Sequence, residues 1–172
     1  DKDVIKVITG MRRCGKSTLF DLFIEELKKQ GIKEKQIIHI NLEDADYDFQ
    51  DYKEFYKYVN GLIKNESKYY VFLDEVQIVK DFQKVVDSLY IKKNIDVYIT
   101  GSNSTLLSGE LATLLSGRYI KIEMLPLSFK EYVSVSNNTN YQSLFLEYMQ
   151  TGGLPGVVNL LDANYNGIDK YL

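Results

Sequence analysis

A glycine-rich loop near the start of the chain constrains the fold more than any other stretch of the sequence. Residues Gly10 to Ser17 read GMRRCGKS, which fits the pattern of glycine, four residues, glycine, lysine, and serine or threonine. An apolar run over residues 4–9 precedes the loop, and a segment with apolar residues at helical spacing follows it. A strand that turns into a helix is the context that a phosphate-binding loop requires. The sequence therefore predicts a site for nucleotide phosphates.

The expected roles of the loop residues follow from this chemistry. Glycine lets backbone N–H groups turn toward phosphate oxygens, where a side chain would block the approach. The helix that follows directs its partial positive charge at the same place. We expect Lys16 to reach the β- and γ-phosphates and the Ser17 hydroxyl to coordinate Mg²⁺. The predicted nucleotide-binding residues are Gly10, Met11, Arg12, Arg13, Cys14, Gly15, Lys16, Ser17 and Thr18.

Three side chains between the two glycines allow more than one interpretation. Arg12 and Arg13 occupy positions whose side chains usually point away from phosphate, so contact with solvent is favoured over contact with nucleotide or a neighbouring chain. Cys14 lies close to a helix N-terminus, where a redox role is one interpretation and a permissive loop position is the favoured one.

Composition places the chain among ordinary globular proteins. Its 172 residues are 45% apolar and 26% charged, which is enough for one domain with a proper core. The net charge of −3 argues against a strongly basic nucleic-acid surface. No apolar run approaches the ~20 residues of a membrane span, no stretch of this sequence has the basic start and small-residue cleavage site of a signal peptide, and Cys14 is its only cysteine. We therefore expect a cytoplasmic protein with no disulfide and no membrane partner.

Strand and helix patterns alternate through most of the chain. Strands are predicted over residues 4–9, 37–42, 69–73, 96–100 and 119–124, and helices over residues 16–30, 52–63, 82–90 and 105–115. Alternation at this spacing indicates right-handed βαβ units. The predicted fold class is α/β, with three layers and a five-stranded parallel sheet in the middle. His39, the lone histidine, is expected to pack within a central strand rather than to bind a ligand.

The sequence changes in character after Pro126. Ser128 and Glu131 fit a capping box at the start of a short helix. A second helix is predicted over residues 144–149, and an apolar segment follows over residues 157–161. The sequence after the last predicted strand therefore indicates a small helical subdomain.

Two domains are predicted from this change in pattern. Residues 1–125 form the core domain, and residues 126–172 form the start of a helical lid subdomain. Asp1 stands three residues before a core strand, and Leu172 comes just after a helical pattern. Neither resembles a natural chain end, so we expect a piece of a longer protein.

Two acidic residues end the third predicted strand. Asp74 and Glu75 follow the apolar run over residues 69–73. Acidic residues often end strands and cap loops, but a phosphate loop earlier in the chain favours a catalytic interpretation. Asp74 is then predicted to hold Mg²⁺ through its water shell, and Glu75 to orient or deprotonate the attacking water.

Polar residues also follow the fourth predicted strand. Ligands of parallel α/β sheets bind beyond the carboxyl ends of the strands, so a side chain there can touch the γ-phosphate or the attacking water. Ser102 and Asn103 are the two candidates, and the sequence does not choose between them. Ser104 is an alternative as a helix cap.

Arg118 lies between a predicted helix and the fifth predicted strand. An arginine at a subunit edge can enter a neighbour's site and stabilise the charge of the transition state, an effect worth ~10³ to 10⁵ in rate. A surface arginine that neutralises a helix C-terminus is equally compatible with this position.

Together these motifs resemble the prokaryotic AAA-superfamily ATPases, P-loop proteins whose ATPase domain is usually followed by an uncharacterised winged-helix or nuclease-like region. The matching blocks cover nearly the whole chain, and the stretch from Gly117 to Phe129 is the most particular of them. The blocks are GMRRCGKS from Gly10, FLDEVQ from Phe72, TGS from Thr100, LSGRY from Leu115, LPLSF from Leu125 and GGLP from Gly152.

This resemblance implies a fold and a set of site residues. The sheet would be of the additional-strand type, with the Ser102 strand inserted between the strands that carry Gly10 and Asp74. ATP and Mg²⁺ are the implied ligands, with Glu75 as the catalytic carboxylate and Arg118 at the place of the arginine finger. The region of residues 102 and 103 would sense the γ-phosphate. The candidate catalytic residues are Lys16, Glu75, Ser102, Asn103 and Arg118.

Two functions compete at this point. The first is an ATPase that hydrolyses ATP to drive a conformational change in a larger protein or a homo-oligomer, with DNA or a protein as client through a region outside this sequence. The second is a nucleotide-binding switch with little turnover that controls a fused effector or DNA-binding region. A phosphotransferase is disfavoured, because adjacent Asp74 and Glu75 suit water activation.

The lid arginine of many relatives has no counterpart, since no arginine occurs after Pro126.

Overall fold

The computed structural model describes residues 4–102, 106, 115, 117–136 and 138–156. The chain forms two compact units. One consists of Asp1–Gly10 with Lys16–Glu123, and the other of Met11–Gly15 with Met124–Leu172. The first unit contains the sheet, and the second contains the middle of the glycine-rich loop and the helices that follow the sheet. The two predicted domains, divided after residue 125, stay a prediction.

Five strands form one sheet. They are β1 (Ile5–Gly10), β2 (Ile37–Asn41), β3 (Tyr69–Asp74), β4 (Ile95–Ser102) and β5 (Tyr119–Met124). Their order across the sheet is β2-β3-β4-β1-β5. The pairs β2–β3, β3–β4 and β4–β1 are all parallel. β4 therefore lies between β1 and β3. This order confirms the α/β fold with a five-stranded parallel sheet and the inserted fourth strand.

Three described helices flank the sheet. They are α1 (Lys16–Lys29), α2 (Tyr52–Leu62) and α3 (Phe82–Tyr90), with short 3₁₀ turns at Glu34–Gln36 and Val76–Ile78. The Asp51 carboxylate accepts hydrogen bonds from the N–H groups of Lys53 and Glu54, which fixes the start of α2. α1 is followed by Gly31, whose φ of 87° lies in the left-handed region that glycine adopts without strain.

Alternate residues of the strands face opposite helices. On one face, two rings of α1 pack against strand residues. The ring centroid of Phe20 lies 5.1 Å from that of Phe72, and the ring centroid of Phe23 lies 5.2 Å from that of Tyr98. The other face packs against α2 and α3 through a buried cluster that includes Ile5, Val7, Phe55, Val59, Val71, Leu73, Val85, Val86, Leu89, Val97 and Ile99. Helices on both faces bury the three central strands β1, β3 and β4 almost completely and hold their carboxyl ends at fixed positions.

The second unit contains two described helices after β5, α4 (Phe129–Val135) and α5 (Tyr141–Thr151). The Ser128 hydroxyl accepts a hydrogen bond from the Glu131 N–H at 3.4 Å, and the Glu131 carboxylate accepts one from the Ser128 N–H at 2.8 Å. This pair of contacts confirms the predicted capping box. Among the described residues of this unit, Tyr132 and Leu144 form a buried hydrophobic cluster.

His39 lies in a strand, as predicted, but its placement in a central strand was wrong. That it binds no ligand stays a prediction. β2 lies at the edge of the described sheet, and the His39 side chain is 30% exposed. Its ring contacts Phe20 edge-on at 6.0 Å, and its Nδ1 lies 3.9 Å from the Asp21 carboxylate. The apolar residues around His39 predicted a strand, but strand order across a sheet depends on contacts between distant segments.

Two predicted segments lie almost wholly outside the described residues. These are the helix over residues 105–115, of which the structure describes the buried Leu106 and Leu115, and the apolar segment over residues 157–161. Of the helices that are described, none has both the length and the apolar character needed to cross a membrane.

Candidate functional site

The carboxyl ends of three neighbouring strands meet at one edge of the sheet. Gly10 ends β1 and pairs in register with Ser102, which ends β4. Asp74 ends β3, the next strand across. Lys16 is the first residue of α1, close to the same edge. Because ligands of open α/β sheets bind beyond the carboxyl ends of the strands, this edge is the candidate site.

Lys16 is buried, which is unusual for a lysine. Its Nζ lies 3.4 Å from the carbonyl oxygen of Gly10 and 3.5 Å from Oε1 of Glu75. The side chains of Lys16 and Glu75 are 4% and 15% exposed, so water screens their interaction only weakly. The structure therefore brings the loop lysine and the second acidic residue together, and it presents a compact positive charge at the carboxyl end of β1.

The Asp74 carboxylate is fully buried and only half satisfied. Its Oδ1 accepts a hydrogen bond from the Thr100 hydroxyl on the neighbouring strand. Its Oδ2 has no hydrogen-bond partner among the described residues. A buried carboxylate oxygen without a partner is costly, and it indicates a place where a donor or a cation can bind.

Glu75 follows β3 in a left-handed backbone conformation, with φ 53° and ψ 48°. Such a conformation costs a residue other than glycine about 1–2 kcal/mol. The Glu75 N–H donates a 3.0 Å hydrogen bond to the Thr100 hydroxyl oxygen, which in turn donates to Asp74. One threonine side chain therefore holds both acidic residues, whose carboxylates have different partners: Thr100 for Asp74, and Lys16 and Gln77 for Glu75.

Sequence reasoning missed two residues of this site, Thr100 and Gln77. Thr100 ends a buried apolar run and lies across from Asp74 in the β3–β4 pair, a relation that depends on strand register. Gln77 donates from Nε2 to Oε2 of Glu75 at 2.6 Å. A polar residue within the apolar stretch from Val76 to Val79 was the available signal for Gln77.

The middle of the glycine-rich loop belongs to the second unit. Arg13 and Gly15 have positive φ values of 66° and 98°, and the Cys14 N–H donates to the Met11 carbonyl oxygen at 3.4 Å. Cys14 is buried, whereas Met11, Arg12 and Arg13 are exposed. An added Cβ on Gly15 would lie 3.8 Å from its nearest neighbour, so it is the backbone angle rather than lack of space that favours glycine.

The remaining predicted residues divide into three groups. Ser17 and Thr18 lie in the first turn of α1 with exposed side chains, open to a ligand. Ser102 is half-buried at the end of β4, beside Gly10. Asn103 lies outside the described residues, so the choice between Ser102 and Asn103 stays open.

Arg118 is not brought to this edge of the sheet. Its carbonyl oxygen accepts a 2.8 Å hydrogen bond from the N–H of Ile5, the first residue of β1. The candidate site lies at the other end of this strand, where Gly10 is the last residue. At 3.3 Å per residue β1 spans about 17 Å, which is farther than an arginine side chain extends. The Arg118 guanidinium instead pairs with Asp87 of α3, and its side chain is 46% exposed.

The strand order and the loop between β1 and α1 define the P-loop NTPase fold. A family model described as an AAA domain matches residues 2–133, and the chain therefore belongs to this family of AAA domains. A Haemophilus influenzae protein described as uncharacterised is 44% identical over 167 residues, covering 92% of this chain and 41% of the relative. The chain spans about two fifths of the length of the curated relatives it matches.

Solved structures share the fold at low sequence identity. The Saccharomyces cerevisiae Hsp104:casein complex in its extended conformation has a TM-score of 0.63 at 15% identity, covering 99% of this chain and 35% of that chain. The Aeropyrum pernix ORC1 protein in complex with DNA has a TM-score of 0.54 at 11% identity, covering 86% of this chain and 44% of that chain. At these identities the likeness is evidence of the fold alone.

Proposed function

We propose that this chain binds ATP with Mg²⁺, hydrolyses the ATP, and uses the hydrolysis to change the conformation of a larger protein or assembly. The observation that carries this proposal is the meeting of Lys16 and Glu75, 3.5 Å apart, next to the half-satisfied Asp74 at the end of β3. Membership of the AAA family supports the choice of nucleotide.

ATP binding would use the loop and the start of α1. Backbone N–H groups from Gly10 to Thr18 face the phosphates in this proposal, and Lys16 leaves the carbonyl of Gly10 to contact the β- and γ-phosphates. Exchange of an internal carbonyl contact for a phosphate contact strengthens the interactions of the lysine, because hydrogen bonds between charged groups are the stronger ones.

The donor set fits Mg²⁺. The described residues hold no cluster of three or more His, Cys, Asp or Glu side chains that could cage a metal ion, and Asp74 offers one buried oxygen without a partner there. Mg²⁺ is typically held by one or two protein oxygens, with water and substrate phosphates as its other ligands. Ser17 and Asp74 would hold it, Asp74 through water. Bound Mg²⁺ would neutralise charge on the phosphate oxygens.

For hydrolysis, Glu75 is the proposed general base. A water oxygen attacks the γ-phosphorus, the bond from that phosphorus to the bridging oxygen breaks, and the proton of the water passes to Glu75. Lys16 stabilises the charge that develops on the phosphate oxygens. Ser102 or Asn103 contacts the γ-phosphate or the attacking water.

Arg118 is proposed as a finger for a neighbouring subunit. Its distance from Lys16 of the same chain, at the opposite end of β1, supports a role in a second copy. The assembly would therefore be a homo-oligomer. A chain with Arg118→Ala mixed with a chain with Lys16→Ala should regain turnover, because the intact loop of the first receives Arg118 of the second. Oligomers without recovered turnover would leave Arg118 a structural residue.

A switch with little turnover is the second candidate function. Both Glu75 oxygens are engaged, by Lys16 and Gln77, and the Arg118 guanidinium is engaged by Asp87. A resting state of this kind favours nucleotide binding without hydrolysis until a partner rearranges it. DNA or a protein is the proposed client, and a winged-helix or nuclease-like continuation of the chain stays a prediction.

Glu75→Gln tests the hydrolysis proposal. This change removes the general base while it keeps the shape of the side chain, so we expect turnover to fall at least ~100-fold with ATP affinity retained. Phosphate release and binding of a fluorescent ATP analogue measure the two effects, with Lys16→Ala as the control that loses binding. Unchanged turnover in Glu75→Gln would contradict hydrolysis at this site, and wild-type binding without turnover would favour the switch.

A further inference from the structure

The Glu75 carboxylate is held from two sides. Its Oε1 lies 3.5 Å from Nζ of Lys16, and its Oε2 accepts a 2.6 Å hydrogen bond from Nε2 of Gln77. In the proposed reaction Lys16 turns to the phosphates of ATP. Gln77 has no such task, so its contact is the one that can keep the orientation of the Glu75 carboxylate through the reaction.

The orientation of the Gln77 amide follows from the chemistry of its partner. An ionised carboxylate only accepts hydrogen bonds, so the amide must present its NH₂ group to Glu75. Its Oε1 then points the other way, into a buried place where it has no hydrogen-bond partner among the described residues. A cost of this kind in a native structure calls for an explanation, and the bond from Nε2 to Glu75 provides one.

Gly101 makes room for this amide. A Cβ added to Gly101 would lie 2.4 Å from Oε1 of Gln77 and 2.8 Å from the side chain of Leu106. The absence of a side chain therefore lets the amide lie against β4, one residue after the Thr100 that fixes Asp74 and Glu75. The site thus restrains the Glu75 backbone through Thr100 and the Glu75 side chain through Gln77.

We propose that Gln77 is a positioning residue for ATP hydrolysis, which holds the Glu75 carboxylate in the orientation that receives the proton of the attacking water. This inference rests on the proposed function. Gln77 acts through Glu75 and contacts neither nucleotide nor water. A glutamate side chain has several rotatable bonds, and a fixed hydrogen bond removes that freedom before the substrate arrives.

Two substitutions at Gln77 separate positioning from simple packing. Gln77→Met keeps the length and fills the space over Gly101 but donates no hydrogen bond. Gln77→Glu keeps the shape but replaces the donor with a second carboxylate. We expect each change to lower kcat ~10- to 100-fold, with the KM for ATP and the affinity for an ATP analogue within about twofold of wild type. Wild-type kcat in either variant, with folding verified by thermal melting, would overturn the proposal.

A third variant and a spectroscopic measurement complete the test. In a Glu75→Gln background, Gln77→Met should cause no further loss, because the group that it positions is gone; an additional loss would overturn the inference. The side-chain amide protons of Gln77, observed by NMR, should exchange with water more slowly in the wild type than in Glu75→Ala, and equal rates would overturn it as well. A wild-type chain without turnover contradicts the proposed hydrolysis instead, and the exchange rates still test the hydrogen bond.

Discussion

Two buried lysines, each paired with a carboxylate, lie at opposite ends of the same sheet, and their surroundings differ. At the amino end, Lys6 of β1 donates to Oδ1 of Asp96 on β4. Oδ2 of Asp96 accepts a 3.2 Å hydrogen bond from the Tyr98 hydroxyl and lies 3.5 Å from Nζ of Lys68. Burial, followed by the charge of Asp96, raises the pKa of Tyr98, so the hydroxyl stays a neutral donor. Both carboxylate oxygens have partners.

At the carboxyl end of the sheet, by comparison, the hydrogen bonding of the buried polar groups is incomplete among the described residues. Lys16 and Glu75 are 3.5 Å apart. Thr9 Oγ1, Asp74 Oδ2 and Gln77 Oε1 are buried without hydrogen-bond partners among the described residues. The amino end is a closed network that contributes to folding, whereas the carboxyl end has buried polar groups that none of the described residues satisfies. The two ends of one sheet can therefore differ in how fully their buried polar groups are paired.

The largest expected effect separates the two lysines by stability. Lys6→Met removes one partner of a closed pair and leaves the buried Asp96 charge poorly compensated, so we expect unfolding to become easier by about 3–5 kcal/mol. ATP affinity should stay within about twofold. Urea denaturation measures the stability. Recovery in the double variant Lys6→Met/Asp96→Leu would support the pairing, while wild-type stability of Lys6→Met alone would show that the two ends do not differ as described.

The matched change at the other end should affect function instead. In the proposed function Lys16 stabilises the transferring phosphate, so we expect Lys16→Met to lower turnover ~10²- to 10³-fold and to weaken ATP binding. Stability should fall by less than in Lys6→Met, because Glu75 keeps the hydrogen bond from Gln77 when Lys16 is removed. Phosphate release and urea denaturation on the same samples check both results. A large loss of stability would assign Lys16 the same structural role as Lys6.

A smaller effect tests how tightly the carboxyl end is packed. Gly101→Ala places a Cβ against Gln77 and Leu106, so we expect a loss of about 1–3 kcal/mol in the free energy of unfolding. Part of this loss should return in Gly101→Ala/Gln77→Ala, where one of the two contacts is removed. Thermal melting of the four variants in this cycle gives the coupling. Additive losses would mean that Gln77 and Gly101 do not share the space.

The smallest effect comes from the surface of the second unit, which gives a reference for an exposed charge. Hydrogen bonds from the Ser128 hydroxyl and then from its backbone N–H lower the pKa of Glu131. A depressed carboxyl pKa contributes stability above the unfolded value, and that contribution is lost as pH falls through the folded value. In Ser128→Ala the Glu131 pKa should rise toward its ordinary value of 4.5. NMR titration of the carboxyl carbon checks this, and an unchanged pKa would contradict the capping box as its cause.

Sequence patterns predicted much of the fold because each pattern is local. The loop from Gly10 to Ser17, the strand before it and the helix after it lie within one continuous segment, and the predicted and observed bounds of β1 differ by one residue at each end. The predicted span of β5 matches Tyr119–Met124. The capping box at Ser128 depends on two residues three positions apart. Backbone geometry and hydrophobic periodicity act over these short distances.

The partners across the sheet could not be predicted in the same way. Lys6 and Asp96 are 90 positions apart, and in sequence each resembles an ordinary surface charge. The Thr100 that bridges Asp74 and Glu75 is identified only when β3 and β4 pair in register. Gln77 gains its role from a turn whose left-handed start no sequence pattern indicated.

By itself, the sequence determined that a glycine-rich loop joins a buried strand to a helix in an α/β chain, because glycine spacing and apolar periodicity are properties of neighbouring residues. Only the tertiary structure decided which lysine pairs with which carboxylate at each end of the sheet. Lys6 pairs with Asp96, while Lys16 lies beside Glu75, at an end of the sheet where buried oxygens have no hydrogen-bond partner among the described residues. The physical reason is that strand order and register, fixed by burial of both sheet faces, choose the partner of each polar side chain.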